Sequence, residues 1–221
     1  MALTDFQSLV DNLVRDESGE IMTADRDAAI ELAVVRYSTD RPVQAVEEVV
    51  STGGVLLDLP AGWEFGFSRI VGLALMDGDE EIPIAGTVEQ GLAGNRIRLE
   101  GTLAAGTAVL VRYTVKHRID SGTDTVPIKD REAVCGWAAA LLLESLSSLY
   151  SGSRQPAINA DAVDWQSKGR DYAQRAKTLR RSYLDHLGIN PKRVVPHGVV
   201  VDLDTTGTLG QPPLIRRGQH R

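Results

Sequence analysis

The sequence predicts an α+β fold: a four-helix bundle with an inserted antiparallel β-sandwich-like domain and an extended C-terminal arm. Three observations predict it. Apolar residues recur at helical spacing over residues 4–38 and 130–187. Between them lie short runs of valine, isoleucine and leucine, punctuated by glycine and proline. After Gly188 no helical period remains. The segments run 1–41 and 127–188 for the helices, 42–126 for the β-rich insert and 189–221 for the arm.

The first helix is capped by Thr4, with Phe6, Leu9, Val10, Leu13 and Val14 on one stripe, and it breaks at 17–20 (ESGE). A second starts at Thr23, with Asp25 and Asp27 in the first turn, where the helix dipole favours negative charge. Its buried face is Ile30, Ala33, Val34 and Tyr37. It stops before Arg41–Pro42, because a residue preceding proline avoids the α region.

Six candidate strands follow: VQAVEEVV, GVLLDL, SRIVGLALM, IPIAGTV, NRIRLEG and TAVLVRYTVKH. In the last, Val109, Val111, Tyr113 and Val115 share one face, and Arg112, Thr114 and Lys116 take the other. Helices resume at Lys129 or Asp130, with Val134, Trp137, Ala138, Leu141, Leu142, Leu146 and Leu149 able to face a core. The last helix is capped by Asn159 or Asp161 and ends at Gly188 in the C′ position. Its seam is Trp165, Gly169, Tyr172, Ala176, Leu179 and Tyr183, at steps of four, three, four, three and four. With three other amphipathic helices in the same chain, that seam closes a bundle, and Gly169 permits close approach of the helix before it.

Composition narrows the function. Of 221 residues, 43% are hydrophobic and 24% charged, as expected for a globular protein. A net charge of -6 argues against a dedicated nucleic-acid binder. The single cysteine, Cys135, excludes an intrachain disulfide and a thiolate zinc cluster, which suits a reducing compartment. MALTDFQSLVDNLVRD is not a signal peptide, and AVCGWAAALLLESL is too short and too interrupted to span a bilayer. The expectation is a soluble intracellular protein with no membrane partner.

No motif specifies a reaction, so the chain is expected not to be an enzyme and to carry no catalytic residue, metal or cofactor. His117, His186, His197 and His220 lack zinc-binding spacing. DGDEE (77–81) begins like a calcium loop but lacks its later glycine and glutamate, and reads as a solvated turn. Asp202 and Asp204 flank Leu203 as on an exposed strand, and Cys135 reads as a small buried hydrophobe. Arg170, Lys177 and Arg181 fall on one face of the last helix, with Arg175 and Arg180 to either side. A solvated face, with Asp171 and Arg175 as an i,i+4 pair, is the plain account. The sharper one is a face toward DNA phosphates or an acidic partner. In the arm, Val194, Val195, Val199, Val200 and Val201 form a β-prone run that is hazardous if unpaired. Such a segment can add a strand to a neighbouring subunit.

Five stretches carry a resemblance: LTDFQSLVDNLVRD with DAAIELAVVRYSTDRPV, then VLVRYTVKH, then TVPIKDREAVCGWAAALLLESLSSLYS with INADAVDWQSKGRDYAQRAKTLRRSYLDHLG. In this order they resemble the neck proteins of tailed bacteriophages, the head–tail connector or adaptor class that docks under the portal. The resemblance covers most of residues 1–188. It implies a virion structural protein, assembled in the host cytoplasm, that forms a twelvefold ring around the DNA channel. Its implied partners are itself, the portal protein, the next neck or tail component and, without specificity, channel DNA. The arm, including Leu214, Ile215, Arg216 and Arg217, would bind the portal or a neighbouring subunit. The alternatives are a tail-terminator or tail-completion ring protein and a DNA-binding packaging accessory.

Overall fold

The computed structural model describes residues 3–16, 19–77, 80–91, 94–120, 122–152 and 165–190. The fold is α+β, with four α-helices and two antiparallel sheets among the described residues. Met1–Ile189 forms one compact unit.

Helix α1 (Leu3–Val14) buries Phe6, Val10 and Val14, one residue per turn. Leu9, expected on the same stripe, is 40% exposed, while Leu13 is half-buried against the core, so the buried arc centres on the Phe6–Val10–Val14 row. Helix α2 (Thr23–Asp40) begins with the Asp25 carboxylate accepting from the Met22 amide at 3.3 Å, which satisfies one of the donors a helix start leaves free. It buries Ile30, Ala33, Val34 and Tyr37 and ends just before Arg41–Pro42. Arg26 reaches Asp11 at 2.7 Å and Gln7 reaches Asp27 at 2.7 Å, so α1 and α2 are also tied along their polar sides.

Seven strands follow: β1 (Val43–Val50), β2 (Gly54–Leu57), β3 (Ile70–Asp77), β4 (Glu80–Ile84), β5 (Gly86–Gly91), β6 (Gly94–Leu103) and β7 (Ala108–Val115). One sheet has the order β1-β7-β3-β4 and the other β2-β6-β5. The expected single strand IPIAGTV is therefore two strands in different sheets, divided at Ala85. Gly86 makes that crossing possible: a Cβ there would lie 2.7 Å from Leu73 Cδ1 and 2.9 Å from the Arg98 carbonyl oxygen. Leu57, Ile97 and Leu99 from one sheet share a core with Leu73, Val109, Val111 and Tyr113 from the other. Tyr113 donates to Glu47 Oε2 at 2.9 Å, and Glu47 also accepts from the amides of Ala61 and Gly62, which fastens that turn to β1.

A short 3-10 turn, Ile128–Asp130, leads into α3 (Arg131–Gly152). Buried residues occur around most of the α3 circumference: Val134, Cys135, Ala138, Ala139, Ala140, Leu142, Leu143 and Leu146. A helix apolar on all sides belongs at the centre of its neighbours, and α3 packs against α1, α2 and α4 (Trp165–Leu187). Leu149, expected to face the core, is 50% exposed, and Tyr150 takes the buried position beside it. By length and composition, Ile128–Ser151 is apolar enough to cross a membrane, contrary to expectation; 56% of its most apolar window is buried inside this fold.

Candidate functional site

Helix α4 carries the residues singled out from sequence. It ends in a tight cap: Gly188 adopts φ 69°, its amide donates to the Asp185 carbonyl at 3.2 Å, and the Ile189 amide donates to the Leu184 carbonyl at 2.9 Å. This satisfies end carbonyls at the one position where a residue without Cβ is favoured. Trp165 is its first residue. Gly169, Ala176 and Tyr183 are buried, and Tyr172 and Leu179 are half-buried against the same core. At Gly169 an added Cβ would sit 3.4 Å from the Ser147 carbonyl oxygen, and the Ser147 hydroxyl donates to the Gly169 carbonyl at 2.8 Å. The Tyr150 and Tyr172 rings stack 5.6 Å apart just beyond this contact.

The basic residues separate into two groups. Arg170, Lys177 and Arg181 are exposed. Arg181 lies 3.6 Å from Asp185, with both side chains largely in solvent, so that pair contributes little. Among the described residues Arg170 and Lys177 form no ion pair. Arg175, itself exposed, and the half-buried Arg180, both expected on the flanks of this face, are bonded to other helices. Arg175 does not bond Asp171 as an i,i+4 pair but donates to the carbonyls of Leu13 at 2.8 Å and Val14 at 3.3 Å, capping α1. A guanidinium satisfying otherwise bare helix-end carbonyls is favoured over a solvated ion pair. Arg180 pairs with Glu144 and lies 5.3 Å from the Trp137 ring centre, with Arg36 at 5.4 Å from the same ring. The Trp137 ring also meets Tyr183 at 4.8 Å.

A second cluster, not anticipated from sequence, lies where α2, the 3-10 turn and the end of α4 meet. Asp130 is 2% exposed and accepts from the Tyr37 hydroxyl at 2.6 Å; His186 Nε2 lies 2.8 Å away and Arg41 Nη1 3.6 Å. Burial alone would raise the Asp130 pKa; the Tyr37 and His186 hydrogen bonds and the Arg41 and Lys129 charges outweigh it and hold the carboxyl below its ordinary range. Burial, reinforced by Asp130, pushes the Tyr37 hydroxyl up. Tyr183 donates to Asp40 at 2.8 Å and is pushed up by burial and that carboxylate. Arg41 donates to the Leu187 carbonyl at 3.3 Å. His117, just after β7, places Nε2 2.9 Å from the Arg41 carbonyl oxygen, and its amide donates to the Ser38 hydroxyl at 2.9 Å. The points where the chain enters β1 and leaves β7 are therefore clamped together on the end of α2. The signal for this cluster was absent from any single stretch, since Tyr37 and Asp130 are 93 positions apart and Asp130 and His186 are 56 apart.

The clefts argue for no particular small ligand. One of about 660 Å³ between α2 and residues 116–120 is lined by Asp27, Glu31 and Glu64 as well as Lys116 and Arg118, mixing both signs of charge. One of about 190 Å³ beside His186 is lined by Ser182, Lys129 and Glu132. Among the described residues no group of three or more His, Cys, Asp or Glu side chains is placed to hold a metal ion. Burial pushes the Cys135 thiol up to about 12, as expected of an inert core cysteine. The arm positions Val194, Val195, Val199, Val200, Val201, Leu214, Ile215, Arg216 and Arg217 lie outside the described residues, as do the expected caps Asn159 and Asp161, His197, His220, Asp202 and Asp204.

No protein-family profile matches the chain, and no curated protein matches it.

Proposed function

We propose that the chain is a non-enzymatic virion structural protein, a head–tail adaptor of a tailed bacteriophage. In this reading copies form a twelvefold ring below the portal, around the DNA channel, and join the capsid vertex to the tail. The helices act as a closed four-helix bundle seated at the portal, and the two sheets act as a sandwich that meets the next neck or tail component. The observation that carries the reading is the face of α4: Arg170, Lys177 and Arg181 are exposed and, among the described residues, bonded to no other helix, whereas Arg175 caps α1 and Arg180 pairs with Glu144 on α3. A short basic row on an acidic protein suits weak contact with phosphates or an acidic partner surface, without base recognition. The order of helices, β insert and helices in the resembling segments supports the same reading.

Electron microscopy of the full-length protein mixed with its portal tests the proposal; rings seated under the portal are expected, and their absence would refute it. Deleting residues 190–221 is expected to leave Met1–Ile189 folded, with an unchanged helical circular-dichroism signal, yet unable to join the portal. Normal joining by the truncated chain would remove the arm from the account. The exposed basic row also favours a second reading, a DNA-binding packaging accessory, which requires salt-sensitive duplex binding by the isolated monomer.

A further inference from the structure

The two outer strands of the larger sheet are protected unequally. At one edge β4 is five residues long and carries Glu80, Glu81 and Pro83, and a proline cannot donate to an added strand. At the other edge β1 runs for eight residues without proline, and its pairing with β7 is in register from Val43–Val115 to Val50–Ala108. Among the described residues β7 is its one strand partner. Its outer row, Gln44, Val46, Glu48 and Val50, is exposed, with Val46 at 57% and Val50 at 55%. A long edge of unbroken register bearing exposed valines is a template for another strand.

The same chain carries 31 residues beyond Asn190, and these begin with PKRVVPHGVVVDLD. We infer that the free edge of β1 receives residues 193–201 of a second copy as an antiparallel strand. The inference rests on the proposed ring and names the contact that would close it.

Charge selects the direction. With Asp202 opposite Arg41, the antiparallel register sets His197 opposite Val46 and Val195 opposite Glu48. Arg193 then lies diagonal to Glu48 on the same face, within reach of a long side chain. A parallel strand beginning beside Val43 would instead set Lys192 against Arg41 and carry Asp202 past Val50. Arg41, two residues before β1, donates to the Leu187 carbonyl, so α4 ends within side-chain reach of the Val43 end of β1. A strand entering there from the same copy runs parallel to β1, whereas an antiparallel one arrives at the Val50 end, about 24 Å away at strand rise. A neighbouring copy supplies that entry directly. The added strand becomes the new edge, where Pro196 is tolerated and stops further addition.

The test uses full-length protein with single cysteines. Cys135 is 1% exposed and leaves the background quiet. Val46→Cys and His197→Cys chains, distinguishable by mass, are mixed, concentrated and oxidised. Directly opposed residues have Cβ atoms about 4.5–5.5 Å apart, close enough for a disulfide after small adjustment. The expected product is a mixed dimer of one chain of each kind, in excess of that from Val46→Cys with Val201→Cys. Adding Glu48→Lys should lower its yield roughly twofold to fivefold, and Arg193→Glu in the other chain should restore it. No mixed dimer, equal yield from the 201 pair, or closure within one chain carrying both cysteines would each overturn the inference. Ring-sized particles that form with the portal but without this cross-link overturn the strand addition and leave the adaptor reading standing. Failure of the unsubstituted protein to form rings with the portal overturns that reading itself.

Discussion

Asp130 joins residues that no stretch of sequence connects. Its carboxylate faces Tyr37 and Arg41 from one side and His186 from the other, and it is nearly sealed from water. Removing one member of a buried charged cluster strands its partners, so Asp130→Ala is expected to lower the unfolding free energy by about 3 kcal/mol at neutral pH. Asp130 also gives the pH dependence a sign. Its folded pKa lies below the ordinary 3.8, so its stabilisation is fully present above that value and is lost as pH falls through the lower folded value. Urea unfolding of both proteins between pH 7 and pH 2 should show their difference shrinking only below about pH 4. Equal stability at pH 7 would mean the cluster does not hold the helix ends. The sequence marked Tyr37 as a core residue and His186 as lacking zinc-binding spacing, but nothing in it linked either to Asp130. Side chains this far apart in the chain meet only after the helices have packed.

Among the elements, α3 shows where periodicity is informative and where it fails. An amphipathic helix announces its buried face by spacing, as α2 does through Ile30, Ala33, Val34 and Tyr37. An all-apolar helix does not, because every arc qualifies equally; hence Leu149 was expected inside and is exposed, while Leu143, not singled out, is fully buried. Leu143→Ala should cost about 2–5 kcal/mol by leaving a cavity between packed helices, and Leu149→Ala should stay within about 0.5 kcal/mol. Similar thermal shifts for the two would contradict the central placement of α3. The β region has a comparable ambiguity. IPIAGTV alternates as one strand would, but a change of sheet at Ala85 depends on whether Gly86 can pass Leu73 and Arg98, a matter of clearance between distant strands.

For the whole molecule, the basic row on α4 is the surface to test. Reversing Arg170, Lys177 and Arg181 together to glutamate should leave the melting temperature within a few degrees, since none of the three is buried. Under the adaptor reading the same variant should join the portal with reduced yield and a weaker dependence on salt; unchanged joining would remove the row from the interface. The sequence by itself determined the class of fold, the bounds of α1, α2 and β1 to within a residue or two, and the turn chemistry that ends α4 at Gly188. These follow from local physics: helical and strand periods, the proline after Arg41, and a glycine free to adopt positive φ. Only the tertiary structure decided which cations stay in solvent, which sheet each strand joins, and that among the described residues β1 pairs with β7 alone. Each of those outcomes is fixed by competition among distant groups for the same neighbours. Arg175, though exposed, found helix-end carbonyls on α1 and Arg180 found Trp137 and Glu144, which among the described residues leaves Arg170, Lys177 and Arg181 exposed without a bond to another helix.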